Sequence, residues 1–176
     1  MSMNAIPPLV KTVNVAWAPE AAFRRFTGEM AAWWPLKSHS IGQENAAACG
    51  FDAHVGGSVY EVDARGQRCV WGTVTLWEPP RRIAFTWHPG ESPALAQDVM
   101  VEFLPSGSGT EVRLTHKGWE KRGSKARSVR RMYNLGWSYV LTLYTGRRGP
   151  LVVALNVVHA VVKLFRRHPA KELKAA

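Results

Sequence analysis

Two hydrophobic periods divide the chain, and the point where one gives way to the other constrains the fold more than any other feature. From residue 50 to 119 apolar and polar residues alternate, and turn residues interrupt the alternation about every eight to twelve positions. At residue 126 the period lengthens. Val129, Met132, Tyr133, Trp137, Val140, Leu141 and Tyr144 recur at steps of three and four, the spacing of one helix face. Consecutive short strands linked by hairpins predict an antiparallel sheet with one apolar face. A long helix over residues 126–146 is the element available to cover that face. The fold class is therefore α+β, a curved sheet closing on a helix, and the space between the two is where function is expected.

Residues 9–17 read as a first strand because of their β-branched content. Ala18-Pro19-Glu20 then starts a helix, with Ala22, Phe23 and Phe26 on its buried face and Gly28 ending it. A second short helix is expected over 29–34, stopped by Pro35 and followed by a shaped loop through His39 and Ser40. Strands are expected over 51–54, 58–63 and 69–77. In the last of these, Cys69, Trp71, Thr73, Thr75 and Trp77 would share one face, opposite Val70, Gly72, Val74 and Leu76. Ile83, Phe85 and Trp87 alternate next, then Val99, Val101 and Phe103, then Val112, Leu114 and His116.

At 176 residues and 46% hydrophobic, the chain suits one buried core: a domain over 1–148 with an extension over 149–176. A secretory signal and a spanning helix are both missing from the sequence pattern, so a cytoplasmic protein is expected. Cys49 and Cys69 lack metal or redox spacing and read as reduced core thiols.

Charge is unevenly placed. Of the 23 Lys and Arg, 14 follow residue 116, with 2 of the 13 Asp and Glu. The run Lys121, Arg122, Lys125, Arg127, Arg130, Arg131 opposes the dipole of the long helix, so it is not placed for helix stability. It suits an anionic ligand head, lipid phosphates or an acidic protein partner, and with no nucleic-acid module beside it, nucleic acid is disfavoured. After Gly149-Pro150, residues 151–167 place Asn156, His159, Lys163 and Arg166 on a narrow polar stripe of an otherwise apolar cylinder. That surface is expected to pack on the domain, on a second copy in a homodimer, or as peripheral contact with a membrane.

The order of these pieces is similar to that of a known family. The carrying residues are Ala18-Pro19-Glu20 with Phe23 and Phe26; Trp33-Trp34-Pro35 with His39-Ser40; Gly56-Gly57; Gly72 and Val74 followed by Glu78-Pro79-Pro80-Arg81-Arg82-Ile83 with Phe85 and Trp87; Gly109-Thr110 with Val112, Leu114, His116 and Gly118-Trp119; and Gly136-Trp137. Together they cover about residues 9–145. The chain resembles the helix-grip fold of the START/Bet v1-like, or SRPBCC, superfamily, in the branch related to the activator of Hsp90 ATPase. That resemblance implies a deep cavity between sheet and helix, used in the superfamily for hydrophobic or amphipathic small molecules. In the co-chaperone branch it implies contacts with Hsp90. Fold alone does not choose between them.

HExxH, zinc-ligand, nucleophile-elbow and phosphate-loop patterns are all absent from the sequence, so no metal, cofactor or catalytic residue is assigned. His39, His54, His88 and His116 are scattered along the chain. His116 shares the inward face of Val112 and Leu114, where an imidazole either contacts a ligand, acts as a general base, or is satisfied by the backbone or Glu61. Glu61, if inward with Val59, must be paired or protonated; a one-residue slip would leave it solvated. Of the eight tryptophans, Trp33, Trp34, Trp71, Trp87, Trp119 and Trp137 point to one interior, which is either a filled core or a ligand pocket. The expected ligand-binding set is Trp33, Trp34, His39, Glu61, Trp71, Trp87, His116, Tyr133 and Trp137. The expected function is binding of a hydrophobic or amphipathic small molecule, with a co-chaperone-like interaction domain and a cyclase- or hydratase-type enzyme as alternatives.

Overall fold

A computed structural model describes residues 6–147. Among them, strands β1 (Leu9–Val15), β2 (Ala46–Phe51), β3 (Ser58–Asp63), β4 (Arg68–Glu78), β5 (Arg82–Trp87), β6 (Gln97–Ser106) and β7 (Gly109–Lys117) form one antiparallel sheet in the order β1-β7-β6-β5-β4-β3-β2. Helices α1 (Pro19–Thr27) and α2 (Leu36–His39) lie between β1 and β2, and α3 (Ala126–Tyr144) follows β7. The first strand pairs with the last, Val13 opposite Val112, and the sheet curls around α3. This is the helix-grip fold that the sequence resembled.

The inner face follows the alternation on β5, β6 and β7. Ile83, Phe85 and Trp87, then Val99, Val101 and Phe103, then Val112, Leu114 and His116 are all buried. Helix α3 buries Trp137, Val140, Leu141 and Tyr144 against them. The Tyr144 hydroxyl donates to the Ala22 carbonyl at 2.8 Å, and its ring lies 5.4 Å from Phe26, which locks α1 to the end of α3. Met132 departs from expectation. It is 66% exposed, as is Leu135 at 62%, because one residue on a helix turns about 100° and carries it off the Tyr133–Trp137–Val140–Tyr144 stripe.

Strand β4 breaks strict alternation. Register shifts against β3 and β5 place Val74, not Thr73, on the buried face after Trp71, while Thr73 and Thr75 are exposed. Each bulge adds a residue to one strand and reverses the faces beyond it. Strand β2 lies at 46–51 rather than 51–54: the Asp52 carboxylate accepts from the Ser58 N–H at 2.9 Å and pairs with Arg68 at 2.7 Å, making 52–57 a turn. The helix expected over 29–34 is a single 3-10 turn, Met30–Ala32, and Pro35 instead caps α2 within the expected loop.

Half of the basic run holds the chain together. The Arg130 guanidinium donates to the Pro7 and Pro8 carbonyls at 2.8 and 3.0 Å, Lys121 donates to the Ala96 carbonyl at 2.6 Å, and Arg122 pairs with Glu91 at 3.1 Å. Lys125, Arg127 and Arg131 are exposed. The extension over 149–176, with its expected amphipathic helix and its homodimer or membrane contact, lies outside the described residues. No helix among those described is long and apolar enough to cross a membrane.

Gly72 shows how tightly β4 and β5 approach at the bulge, since a Cβ there would collide with the Thr86 carbonyl. Gly72→Ala is expected to destabilise the fold by about 1–3 kcal/mol, the usual cost of overpacking. A urea-unfolding midpoint equal to the parent's would contradict this strand contact.

Candidate functional site

The site grows out of the indoles. Pro35 starts α2 in a direction that lets the Trp34 indole N–H reach the His39 carbonyl at 2.8 Å, which fixes that ring across the interior. From Trp34 the aromatic contacts run on to Trp71 (5.4 Å between centroids), Trp87 (5.8 Å) and Trp137 (6.1 Å), while Trp87 and Trp137 lie 5.8 Å apart. The packing is edge-on or tilted throughout, the arrangement that ring quadrupoles favour. It is not complete. Trp34, Trp87, Tyr133 and Trp137 wall a cavity of about 370 Å3, with His39 and Gly136 beside them and Ile41, Gln43, Pro89 and Gly90 around it.

Glu61 faces inward and is 2% exposed. Its carboxylate accepts from the backbone N–H groups of Ile41 (2.7 Å) and Gly42 (2.6 Å) and from the Trp71 indole N–H (2.8 Å). Three donors on one buried carboxylate tie the 40–42 loop to the sheet, so Glu61 shapes the cavity rim through protein contacts. The two cysteines flank it in register across the strands. Burial, with the Glu61 charge second, pushes the Cys49 thiol up to about 12 and raises Cys69 as well. Neither thiol is poised as a nucleophile.

His116 is fully buried on β7. The Trp137 indole N–H donates to its Nδ1 at 3.0 Å. An indole can only donate, so Nδ1 carries the lone pair and the proton of the neutral ring sits on Nε2. Burial, and secondarily the Arg122 charge, pushes the imidazole down to about 3. Protonating Nδ1 would also set two N–H groups against each other. His116 is thus a neutral Nε2–H donor whose other nitrogen is occupied, an arrangement opposed to general-base chemistry. Glu61 is not its partner. The ring lies tilted against Trp119 at 4.2 Å and meets Tyr133 edge-on at 4.9 Å.

Of the nine residues the sequence singled out, Trp34, His39, Trp87, Tyr133 and Trp137 line the cavity together. Trp33 turns away, donating to the Arg25 carbonyl at 2.8 Å and packing on Tyr144 at 5.2 Å. Trp71, Glu61 and His116 stand behind the wall. Sequence reasoning missed Gly136 as a lining residue and Gln97 as a buried one, and it named Arg122 only as part of the basic run, whereas its side chain is 8% exposed. Gln97 extends the Val99–Val101–Phe103 alternation by one step, a signal that was available. Among the described residues no three His, Cys, Asp or Glu side chains converge as metal ligands.

The sign of the His116 effect on stability follows from linkage. Unfolded, the ring titrates near 6.5; folded, it stays neutral to about pH 3. Between those values the unfolded chain binds a proton that the native chain does not, so this contribution is full above pH 6.5 and is lost as pH falls. At about 1.4 kcal/mol per unit, the loss approaches the order of 4 kcal/mol. His116→Gln, which keeps an acceptor for Trp137, is expected to flatten the acid limb of stability against pH. Parallel limbs for parent and variant in chemical denaturation would contradict the assignment.

Comparison with known proteins places this geometry in a family. The family model described as activator of Hsp90 ATPase homolog 1-like protein matches residues 16–143. Among solved structures, an anthrahydroquino-gamma-pyrone synthase is 34% identical over 74% of this chain and 88% of its own, with a TM-score of 0.51. A protein from Mesorhizobium loti is 19% identical over 80% of this chain and 95% of its own (TM-score 0.60), and one from Nitrosomonas europaea 17% identical over 79% and 92% (TM-score 0.58). No curated protein matches. The matched span takes in both walls of the cavity, β3 to β7 and α3, and on that ground the chain belongs to the activator of Hsp90 ATPase homolog 1-like family of the SRPBCC superfamily.

Proposed function

We propose that the chain binds a hydrophobic or amphipathic small molecule, of the size of a few fused rings, in the cavity between β5 and α3. The observation that carries this reading is Gly136. A glycine inside a helix costs roughly 0.5–1 kcal/mol relative to alanine. Here a Cβ would meet nothing nearer than His39 Nε2 at 4.0 Å, so packing does not require the glycine. It lies on the cavity wall, where its missing side chain leaves room. The volume of about 370 Å3 falls at the small end of the roughly 300–1,000 Å3 typical of ligand pockets, and four aromatic walls suit a flat ligand.

A second reading has a specific observation behind it: the relative 34% identical to this chain is named a synthase of an anthrahydroquino-gamma-pyrone. In that reading the same cavity holds a polycyclic substrate and orients it for ring closure, with a group other than His116 as base. The co-chaperone reading rests on the family's name together with exposed Lys125, Arg127 and Arg131. Reversing those three charges is expected to leave small-molecule binding unchanged; a loss of dye binding in that variant would count against the cavity reading.

The cavity is tested from Gly136. Gly136→Ala is expected to raise stability by about 0.5–1 kcal/mol and to keep binding of anilinonaphthalene sulfonate, read by its fluorescence. Gly136→Phe is expected to fill the space and abolish that binding while circular dichroism stays native. Equal binding by the Phe variant and the parent would place the dye, and the function, elsewhere.

A further inference from the structure

Six large apolar side chains are exposed among the described residues, and their placement is uneven. Val10, Val55 and Val70 lie on β1, in the turn after β2 and on β4. The other three are at the cavity or next to residues that line it. Ile41, 40% exposed, is itself a lining residue. Met132 and Leu135 directly precede the lining residues Tyr133 and Gly136 on α3. At about 100° per residue the two point about 60° apart, so they make one apolar patch on the outward side of the helix. Apolar side chains scattered singly need no explanation, whereas a patch beside a cavity marks a contact surface.

The charge around that patch has one sign. Residues 121–147 include seven Lys and Arg and no Asp or Glu. Lys121, Arg122 and Arg130 are drawn into the structure, whereas Lys125, Arg127 and Arg131 are exposed, and no carboxylate among the described residues pairs with them. By the same steps around the helix, Arg127 and Arg131 flank the apolar pair on the Leu135 side and Lys125 flanks it on the Met132 side. Positive charge at the start of α3 works against the helix dipole, so folding does not account for it.

We infer that this face of α3 seats on an anionic lipid bilayer, with Met132 and Leu135 entering the interface and Lys125, Arg127 and Arg131 among the lipid phosphates. An apolar patch bordered on both sides by cations is the chemistry of an interfacial helix. An acidic protein surface would answer the cations but offer the apolar pair no apolar medium. Seated in this way, α3 holds the adjoining cavity rim at Gly136 beside the bilayer. The docking stands without the cavity-binding reading. Its consequence, that an apolar ligand exchanges between lipid and cavity without crossing bulk water, rests on that reading.

The test uses the whole chain and vesicles of two compositions, phosphatidylcholine alone and phosphatidylcholine with phosphatidylglycerol, with affinities read by co-sedimentation. The parent is expected to bind the anionic vesicles at least about tenfold more tightly than the neutral ones. Met132→Ser with Leu135→Ser, which keeps every charge, is expected to weaken binding to the anionic vesicles about tenfold. Reversing Lys125, Arg127 and Arg131 to Glu is expected to weaken it by at least about tenfold. All five side chains are exposed and glutamate suits the start of a helix, so both variants are expected to keep the near-ultraviolet circular dichroism of the parent. Gly136→Phe, which fills the cavity, is expected to bind the vesicles as the parent does, so a failed cavity and a failed docking face are told apart. Equal affinity of the parent for both compositions would overturn the docking face. So would parent-like binding by the serine variant, which would assign the contact to charge alone or to residues after 147. Binding of polyglutamate as tight as that of the anionic vesicles, and unaltered by the serine pair, would overturn it in favour of an acidic protein.

Discussion

Burying indoles obliges a protein interior to supply acceptors, and much of this structure is arranged around meeting that demand. Trp33 takes the Arg25 carbonyl, Trp34 the His39 carbonyl, Trp119 the His116 carbonyl, Trp71 the Glu61 carboxylate, and Trp137 the His116 imidazole. The bonds of Trp119 and Trp34 are local, three and five residues along the chain, whereas those of Trp71 and Trp137 join separate elements and so also set the geometry. The Trp137–His116 bond is the one that ties α3 to β7 across the core, and it determines which histidine nitrogen carries a proton. The Trp71–Glu61 bond leaves the same carboxylate able to hold the 40–42 loop. The sheet is thereby fixed to the helix on one side of the cavity and to its rim on the other.

Against that background Trp87 stands apart: its N–H makes no close hydrogen bond and faces the Tyr133 hydroxyl, on which it acts as a donor. It sits where the aromatic wall of the cavity meets the polar end of the sheet. Close packing explains the rest of the interior: rings fill it edge to face, and Ile83, Val101, Val112 and Leu114 are wholly enclosed. The cavity is the place where that packing stops short. A fold shared with many relatives does not say what occupies such a space; the chemistry of its walls does.

How much of this could be read from the sequence varied with how local the cause was. Alternation on β5, β6 and β7 is local, and it placed Trp87 and His116 inward, as the period of α3 placed Trp137 and Tyr133. The faces of β4 were misread beyond Gly72 because a bulge is set by neighbouring strands, and nothing in the strand's own period announces it. Strand β2 was displaced because an alanine-rich stretch has weak strand preference and pairs through its neighbour β3. Glu61 was correctly seen to need a partner if inward, but its partners are backbone N–H groups 19 and 20 residues away, which no spacing could show. Arg122 was hidden in a run of basic residues that looked like one surface and is in fact divided, with Lys121, Arg122 and Arg130 drawn into the structure and Lys125, Arg127 and Arg131 left in solvent.

The central claim is that the space among Trp34, Trp87, Tyr133 and Trp137 receives a small aromatic molecule. Native mass spectrometry of gently purified protein, followed by solvent extraction and identification of anything released, tests it most directly. The account predicts a discrete adduct that is lost in Gly136→Phe and that releases a hydrophobic or amphipathic aromatic compound. A clean apo mass, together with no uptake of arenes or hydrophobic dyes by the same preparation, would contradict it.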